Sequence, residues 1–415
     1  MPRSHVPPHV PHAPPLGALL RQYGAGSALD CEPVEQGLLN RGYRLCTTRG
    51  RYFLKHHYDP ETADPAAIAR QHRATQRLAD LGVPVAPPLP ARDGRTVAVV
   101  GGHAYALHPW IDGRHRHGGQ LSTGQCERLG ALLGVVHASL EAVMRGRAGA
   151  APEGGEAAVA GDAGEVREEE WGEEWGEEWK ATGGADGSEM PADAWGEAEV
   201  GAGVGARVVP RATGVRGRGC TEPPGAADTP DPADTFTLID DLLGRVLRHR
   251  PADSFDELAR HRLLERRALL ERYADRRPPH GGSVGWVHGD FHPFNLLYRG
   301  DAPAAIVDWD RLGLRPRAEE AVRAAAIFFV RPVGELDLSK VRAYARAYRR
   351  AAGATPSQLA AAVHRVWWER LNDFWMLRWH YERGDTRADC QFPAASALAV
   401  WWTRQYETVC EAFAG

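Results

Sequence analysis

The sequence predicts a bilobal α+β fold, with a small, mostly β N-terminal lobe and a larger, helical C-terminal lobe. Three observations predict it. Short strand-like runs punctuated by turn residues dominate residues 26–110. Longer runs with apolar residues three and four apart dominate residues 111–415. Inside that helical part, one set of short apolar runs, Val287-His288-Gly289-Asp290-Phe291-His292-Pro293-Phe294-Asn295 and Ile306-Val307-Asp308-Trp309-Asp310, carries acids beside apolar residues.

Residues 1–25 read as a disordered leader. Met-Pro-Arg-Ser-His-Val-Pro-Pro-His-Val-Pro-His is Pro-rich and lacks an apolar signal core. Its three His residues could bind metal loosely. Gly42–Thr48 and Arg51–His56 read as two strands joined across Arg49-Gly50. A helix follows, with Asp64 as N-cap, Pro65 at its first position and Gly82 just past its end. Thr96–Val100 and Tyr105–Trp110 read as strands around a Gly101-Gly102 turn.

A helix begins near Ser122, with Gln125 completing a capping-box pattern, and Leu129, Leu132, Leu133, Val136 and Leu140 form its core face. Residues 146–232 read as a disordered insert, rich in Gly, Ala, Glu and Pro. Within it, Trp171, Trp175 and Trp179 recur every four residues among Glu pairs; this repeat at 169–179 is a candidate for a weak protein contact. Phe236–His249 and Ser254–Arg276 read as helices. Residues 283–288, 295–298 and 304–308 read as short strands, and Gly313–Val330 as the entry to an apolar helix. The last hundred residues are helical, and Trp367, Trp368, Phe374, Trp375, Trp379 and Tyr381 crowd one helix with Glu369, Asn372 and Asp373.

Bulk properties exclude several classes. The net charge is −4, which gives no general attraction for nucleic acid. Residues 151–200 hold 16 acids against 2 bases, so the remainder is mildly basic at +10, as suits a phosphate site. The six cysteines are scattered without a Cys-x-x-Cys pair, which suggests neither a zinc site nor a disulfide framework. No run approaches the roughly 18 apolar residues of a membrane span, and a cytoplasmic protein is expected.

The chemistry lies in the spacing of Asp290, Asn295 and Asp308: an Asp, an Asn five residues on, and a second Asp thirteen beyond that. In phosphoryl transfer the first carboxylate orients a hydroxyl and accepts its proton. The Asn and the second Asp can hold Mg²⁺ on nucleotide phosphates. A hairpin centred near 301–302 would set Asn295 opposite Asp308, with Cβ atoms about 5 Å apart. Gly289-Asp290-Phe291-His292 also fits the opening motif of metal-dependent phosphoesterases, but no Gly-Asn-His block follows residue 295 to build a two-metal site.

These residues resemble the catalytic loop and metal hairpin of the aminoglycoside phosphotransferase and choline kinase superfamily. The resemblance implies a protein-kinase-like fold, with residues 26–110 as the nucleotide-binding N-lobe and 111–415 as the catalytic and acceptor-binding C-lobe. It implies Asp290 as catalytic base, Asn295 and Asp308 as Mg²⁺ ligands, His288 as a structural loop member, and ATP or another nucleoside triphosphate such as GTP as donor. Gln36-Gly37-Leu-Leu-Asn40-Arg-Gly42-Tyr43 is similar to the family's loose phosphate-covering loop, which brings in Gly37 and Asn40. Lys55 matches the lysine on the α/β-phosphates. Gln71 stands where the family usually offers that lysine a Glu, so the ion pair would be lost. His108–Gly113 would link the lobes, and Glu320 would brace the metal loop, one methylene longer than the usual Asp. Asp310 is a candidate second metal or acceptor contact.

The expected reaction moves the γ-phosphate to a hydroxyl of a small molecule of the aminoglycoside, amino alcohol, homoserine or sugar type. The aromatic and acidic residues at 367–381 would suit a cationic acceptor, although each Trp reads first as a helix seam packed into the C-lobe and the acids first as solvated. Rival readings are a bacterial Ser/Thr protein kinase of the same superfamily, which would need an open groove, and a catalytically weak nucleotide-binding scaffold.

Overall fold

The structure, a computed structural model, describes residues 13–34, 40–58, 63–145, 230–279 and 282–415. Most of the insert expected at 146–232, the Trp repeat at 169–179 and Gly37 lie outside the described residues. The chain divides into two units, residues 1–76 with 86–112, and residues 77–85 with 113–415.

The first unit opens with α1 (Leu16–Tyr23), a helix where a disordered leader was expected. The prolines before it obscured an amphipathic segment whose Leu19 and Leu20 enter the core. The unit is built on an antiparallel five-stranded sheet. Its strands are β1 (Ala28–Val34), β2 (Arg41–Thr47), β3 (Gly50–His57), β4 (Ala98–Val100) and β5 (His103–Pro109), in the order β1-β2-β3-β5-β4. The β2–β3 hairpin turns at Thr48-Arg49, and Lys55 pairs with Gly42 on one side and Ala106 on the other. Leu45, Leu54 and Leu107 pack against α1. Helix α2 (Pro65–Asp80) begins where its cap signals placed it: both Asp64 carboxylate oxygens accept N–H groups, from Ala66 and Ala67.

The second unit is mainly helical. α3 (Thr123–Arg145) starts at a reciprocal capping box between Ser122 and Gln125. α4 (Pro232–Arg248) and α5 (Ser254–Arg272) follow, and α4 begins at the last residue of the expected insert. Next come β6 (Val284–Val287), β7 (Leu296–Arg299), β8 (Ala302–Ile306) and β9 (Gly313–Pro316), as two antiparallel pairs, β6–β9 and β7–β8. β9 precedes the helix that the sequence alone would start at Gly313. α6 (Arg317–Phe328), α7 (Leu338–Ala352), α8 (Pro356–Asn372), the short α9 (Trp375–Arg378), α10 (Phe392–Arg404) and α11 (Tyr406–Ala414) complete it.

Two packing features position the site. α3 lies against α7 so closely that a Cβ at Gly130 would sit 2.1 Å from the Tyr344 carbonyl oxygen. This approach sets His137 of α3 beside Tyr348 of α7. The tryptophans behave as core: Trp367, Trp368 and Trp402 are wholly buried. The aromatic run is also not one helix, since α8 ends at Asn372, α9 ends at Arg378, and a wider π-type turn takes Trp379–Arg383.

Candidate active site

Strand β6 delivers His288, Gly289 and Asp290 to a loop. Pairing of Val287 with Gly313 brings the chain around Arg311 against that loop. Gly289 is required there. Its φ is +87°, and a Cβ would meet the Arg311 carbonyl oxygen at 2.1 Å.

A buried polar chain holds the loop. Glu320, in the first turn of α6, is 3 % exposed, and its carboxylate accepts the backbone N–H groups of His288 and Gly289. His137 Nε2 lies 2.7 Å from Glu320 Oε2, and its Nδ1 lies 3.0 Å from the Tyr348 hydroxyl. Burial pushes the Glu320 carboxyl up. The hydrogen bond from His137, together with the Gly289 N–H, outweighs it, so Glu320 is held below its ordinary pKa and stays ionised.

His288 works in the opposite sense. Its Nδ1 accepts from the Asp290 N–H at 3.2 Å, so Nε2 carries the proton and donates to the Val307 carbonyl at 3.0 Å. Burial holds the ring below its ordinary pKa and neutral, against the pull of Glu320 and Asp290. His288 therefore ties the Asp290 loop to the residue just before Asp308.

The metal hairpin departs from the expected register. Leu296 pairs with Ile306 and Leu297 with Ala305, but Tyr298 pairs with Pro303, across a bulge. Asn295 consequently faces Val307, whose N–H donates to the Asn295 carbonyl at 2.9 Å, and not Asp308. The expected pairing was one residue out because turn residues alone do not reveal a bulge. Asp308 follows directly, in a left-handed conformation (φ 61°, ψ 66°), the only non-glycine residue with positive φ among the described residues. Its side chain is exposed, and Asp310 is half-buried one turn on.

The donor set fits a hard cation. The Asn295 amide nitrogen donates to the Asp290 carbonyl at 2.9 Å, which assigns its oxygen as the atom left for a metal. An amide oxygen and the exposed Asp308 carboxylate on neighbouring backbone are the oxygen donors Mg²⁺ prefers.

The Asp290 carboxylate keeps Arg311 Nε and His292 Nε2 each 3.7 Å from Oδ2. Arg311 was not singled out from sequence, although it stands next to the Asp308-Trp309-Asp310 motif. His137 had no signal at all, being one His on an apolar helix face. Beside Pro293 and Phe294 of the loop opens a cavity of about 180 Å³, lined also by His117, Ile327, Arg370 and Met376.

The polar residues singled out at 367–381 are engaged within the helical unit. Glu369 is bound bidentately by Arg323, at 2.9 and 2.6 Å. Asn372 accepts from Thr235, and Asp373 accepts from the Trp375 N–H. Trp375 and Trp379 are buried against the body.

In the first unit Lys55 is half-buried on β3, and its charge helps depress the pKa of His72, the residue after Gln71 on α2. Asn40 precedes β2, and its side-chain oxygen accepts from the Tyr58 N–H at 3.0 Å. Thus Asp290, Asn295 and Asp308 come together on one unit, while Lys55, Gln71 and Asn40 belong to the other.

The model of the phosphotransferase enzyme family matches residues 30–210 and 218–354, both halves of this arrangement. The chain belongs to that family. The family so matched is one of phosphotransferase enzymes. Among curated relatives it is similar to homoserine kinases of Bartonella tribocorum (27 % identity over 126 residues, 30 % of this chain and 38 % of the relative) and Sinorhizobium fredii (27 % over 142 residues, 34 % and 42 %). The match thus spans about two fifths of each relative's length. Among solved structures it is similar to an aminoglycoside phosphotransferase from Alicyclobacillus acidocaldarius, with a TM-score of 0.50 at 13 % identity, over 99 % of this chain and 97 % of that one. That likeness concerns the fold, an N-terminal antiparallel sheet followed by a mostly helical part.

Proposed function

We propose that this phosphotransferase moves the γ-phosphate of ATP to the hydroxyl of a small molecule that carries a carboxylate. The observation that supports the acceptor class is the cavity beside the catalytic loop. Its described lining holds Arg370 and no Asp or Glu. Arg370 is 8 % exposed and contributes the one cationic side chain other than His117 to that lining. A guanidinium on the wall of a cavity without acids favours a carboxylate. Of the acceptor classes expected from sequence, only the homoserine type brings a carboxylate. A polycationic aminoglycoside would meet a like charge there.

The acceptor oxygen attacks the γ-phosphorus in line, the bond to the β,γ-bridging oxygen breaks, and ADP leaves. Asp290 orients the hydroxyl and accepts its proton. Lys55 neutralises the α/β-phosphates, and Asn40 with Gly37 belongs to the loop over them. Asn295 and Asp308 would hold Mg²⁺, which supplies charge neutralisation on the phosphates when bound. Gln71 can accept a hydrogen bond from Lys55 but brings no charge. A protein substrate fits this reading less well, because an extended acceptor segment needs an open groove longer than a cavity of about 180 Å³.

The test is release of ADP by the purified chain with ATP and Mg²⁺ against homoserine, amino alcohols, sugars, aminoglycosides and a generic protein substrate. Turnover with a hydroxylated amino acid that disappears in Asp290→Asn, and a KM for it that rises at least tenfold in Arg370→Met, is expected. Turnover only with amines, sugars or protein would overturn the acceptor class.

A further inference from the structure

Away from the catalytic loop, at the junction of α4, α5 and the wide turn after α9, three potential metal ligands converge. Ligand atoms of His249, Asp256 and His380 all lie within 4.8 Å of one another. We propose that these residues form a second metal site, for a zinc-type divalent transition ion, which staples this corner of the helical unit.

The chemistry favours such an ion. Two imidazoles and one carboxylate suit Zn²⁺ and its neighbours, whereas Mg²⁺ and Ca²⁺ prefer all-oxygen sets. Three protein ligands leave a position for water. The spacing is right as well. His249 Nδ1 lies 2.9 and 3.1 Å from the two Asp256 carboxylate oxygens. Two ligands about 2.0–2.1 Å from one tetrahedral zinc stand about 3.3 Å apart, so a few tenths of an ångström of opening admits the ion in place of the shared proton.

The surroundings are prepared for it. The Asp256 side chain is 6 % exposed and is oriented by the Tyr381 hydroxyl at 2.6 Å and the Asp253 N–H at 3.0 Å. Phe255 stacks on the His380 ring at 4.3 Å and fixes its plane. Asp389 stands 2.7 Å from His380 Nδ1, a second carboxylate at hand to brace the imidazole or complete the ligand set. The His249 and His380 rings are 5.5 Å apart and inclined at 75°, so they can aim at a common point without stacking. His249 is 37 % exposed and gives the ion a way in from solvent.

An ordinary pair of His–Asp hydrogen bonds would explain each contact singly. It does not require three ligands from separate segments to converge, with Asp256 and His380 each held by further partners.

The test uses the full chain, stripped with a chelator and titrated with Zn²⁺ by calorimetry, and with Co²⁺ followed by visible absorption. Expected are one tight Zn²⁺ equivalent and Co²⁺ bands of tetrahedral or five-coordinate intensity. His249→Ala and His380→Ala should each weaken that equivalent at least tenfold. Replacing His5, His9 and His12 together by Ala should leave it intact, which separates the leader from this site. ADP release is measured in parallel, because the metal proposal does not depend on the acceptor assignment. If the unmodified chain gives no Co²⁺ bands, or the His249 and His380 variants bind Zn²⁺ as it does, the site does not exist. The Co²⁺ reading on the unmodified chain decides even where a variant fails to fold.

Discussion

The carboxylate of Glu320 accepts the backbone N–H of Gly289, the residue immediately before the proposed base Asp290. A side chain on α6, thirty-one positions later in sequence, thereby fixes where the base stands. Glu320→Gln should separate this positioning role from a merely structural one. Gln keeps the shape but can no longer accept with both arms, and a buried N–H left unpaired costs about 1–3 kcal/mol. A fall in melting temperature is expected, with a kcat lowered at least tenfold and a KM for nucleotide little changed. Glu320→Asp should recover part of the kcat. Unchanged kcat in the Gln variant would show that the loop holds itself.

Gly289→Ala should be among the most damaging small substitutions in the chain. It adds one methyl at positive φ, 2.1 Å from the Arg311 carbonyl oxygen. Backbone strain and the clash together should cost about 3 kcal/mol. Urea denaturation measures the loss, and near-normal stability with normal turnover would contradict the loop geometry.

Asp308→Ala should remove the Mg²⁺ dependence of ATP binding, because it takes away the proposed charged ligand next to Asn295. Calorimetric titration with and without Mg²⁺ reads this directly. If Mg²⁺ strengthens ATP binding as much in the variant as in the parent, the metal assignment fails.

His72 predicts an acid-sensitive first unit. Burial, then the charges of His108 and Lys55, push its pKa down to about 3. Above about pH 6.5 the ring is neutral in folded and unfolded chains alike and adds no pH dependence. As pH falls from about 6.5 toward 3, the unfolded chain takes up a proton that the folded chain refuses, so stability is lost. One pH unit of this difference is worth at most about 1.4 kcal/mol. Urea midpoints at pH 7.5 and pH 5 should lie closer together in His72→Gln than in the parent. An equal gap would show that His72 does not carry the effect.

Much of this was legible in the sequence because local signals and tertiary structure agree. Asp64, Pro65 and Gly82 framed α2, and Ser122 with Gln125 framed α3, since caps act within a few residues. Asp290, Asn295 and Asp308 were legible as a set because their spacing follows from one loop and one hairpin. The register of that hairpin was not, because the bulge at Leu297–Tyr298 has no turn residue to announce it. β1 escaped notice as an exposed edge strand, Ala-Leu-Asp-Cys-Glu-Pro-Val, whose charges and proline blunt the edge and erase the alternation. The tryptophans of α8 read as a core seam before an acceptor lining, and composition alone cannot tell the two apart. Burial decided for the seam. The cavity beside Phe294 draws on residues from about 117 to 398 in sequence, and no local pattern joins them.

The left-handed backbone of Asp308 sets two selective demands against each other. Glycine would relax that conformation at little steric cost, while in the proposed site only an acid would bring a charged oxygen to the metal on the phosphates. Asp308→Gly should therefore raise the melting temperature while abolishing turnover, and selection for robustness alone would drift toward it. With Asp308 as the proposed metal ligand, thermal tolerance and phosphoryl transfer would form a measurable trade-off at this one position.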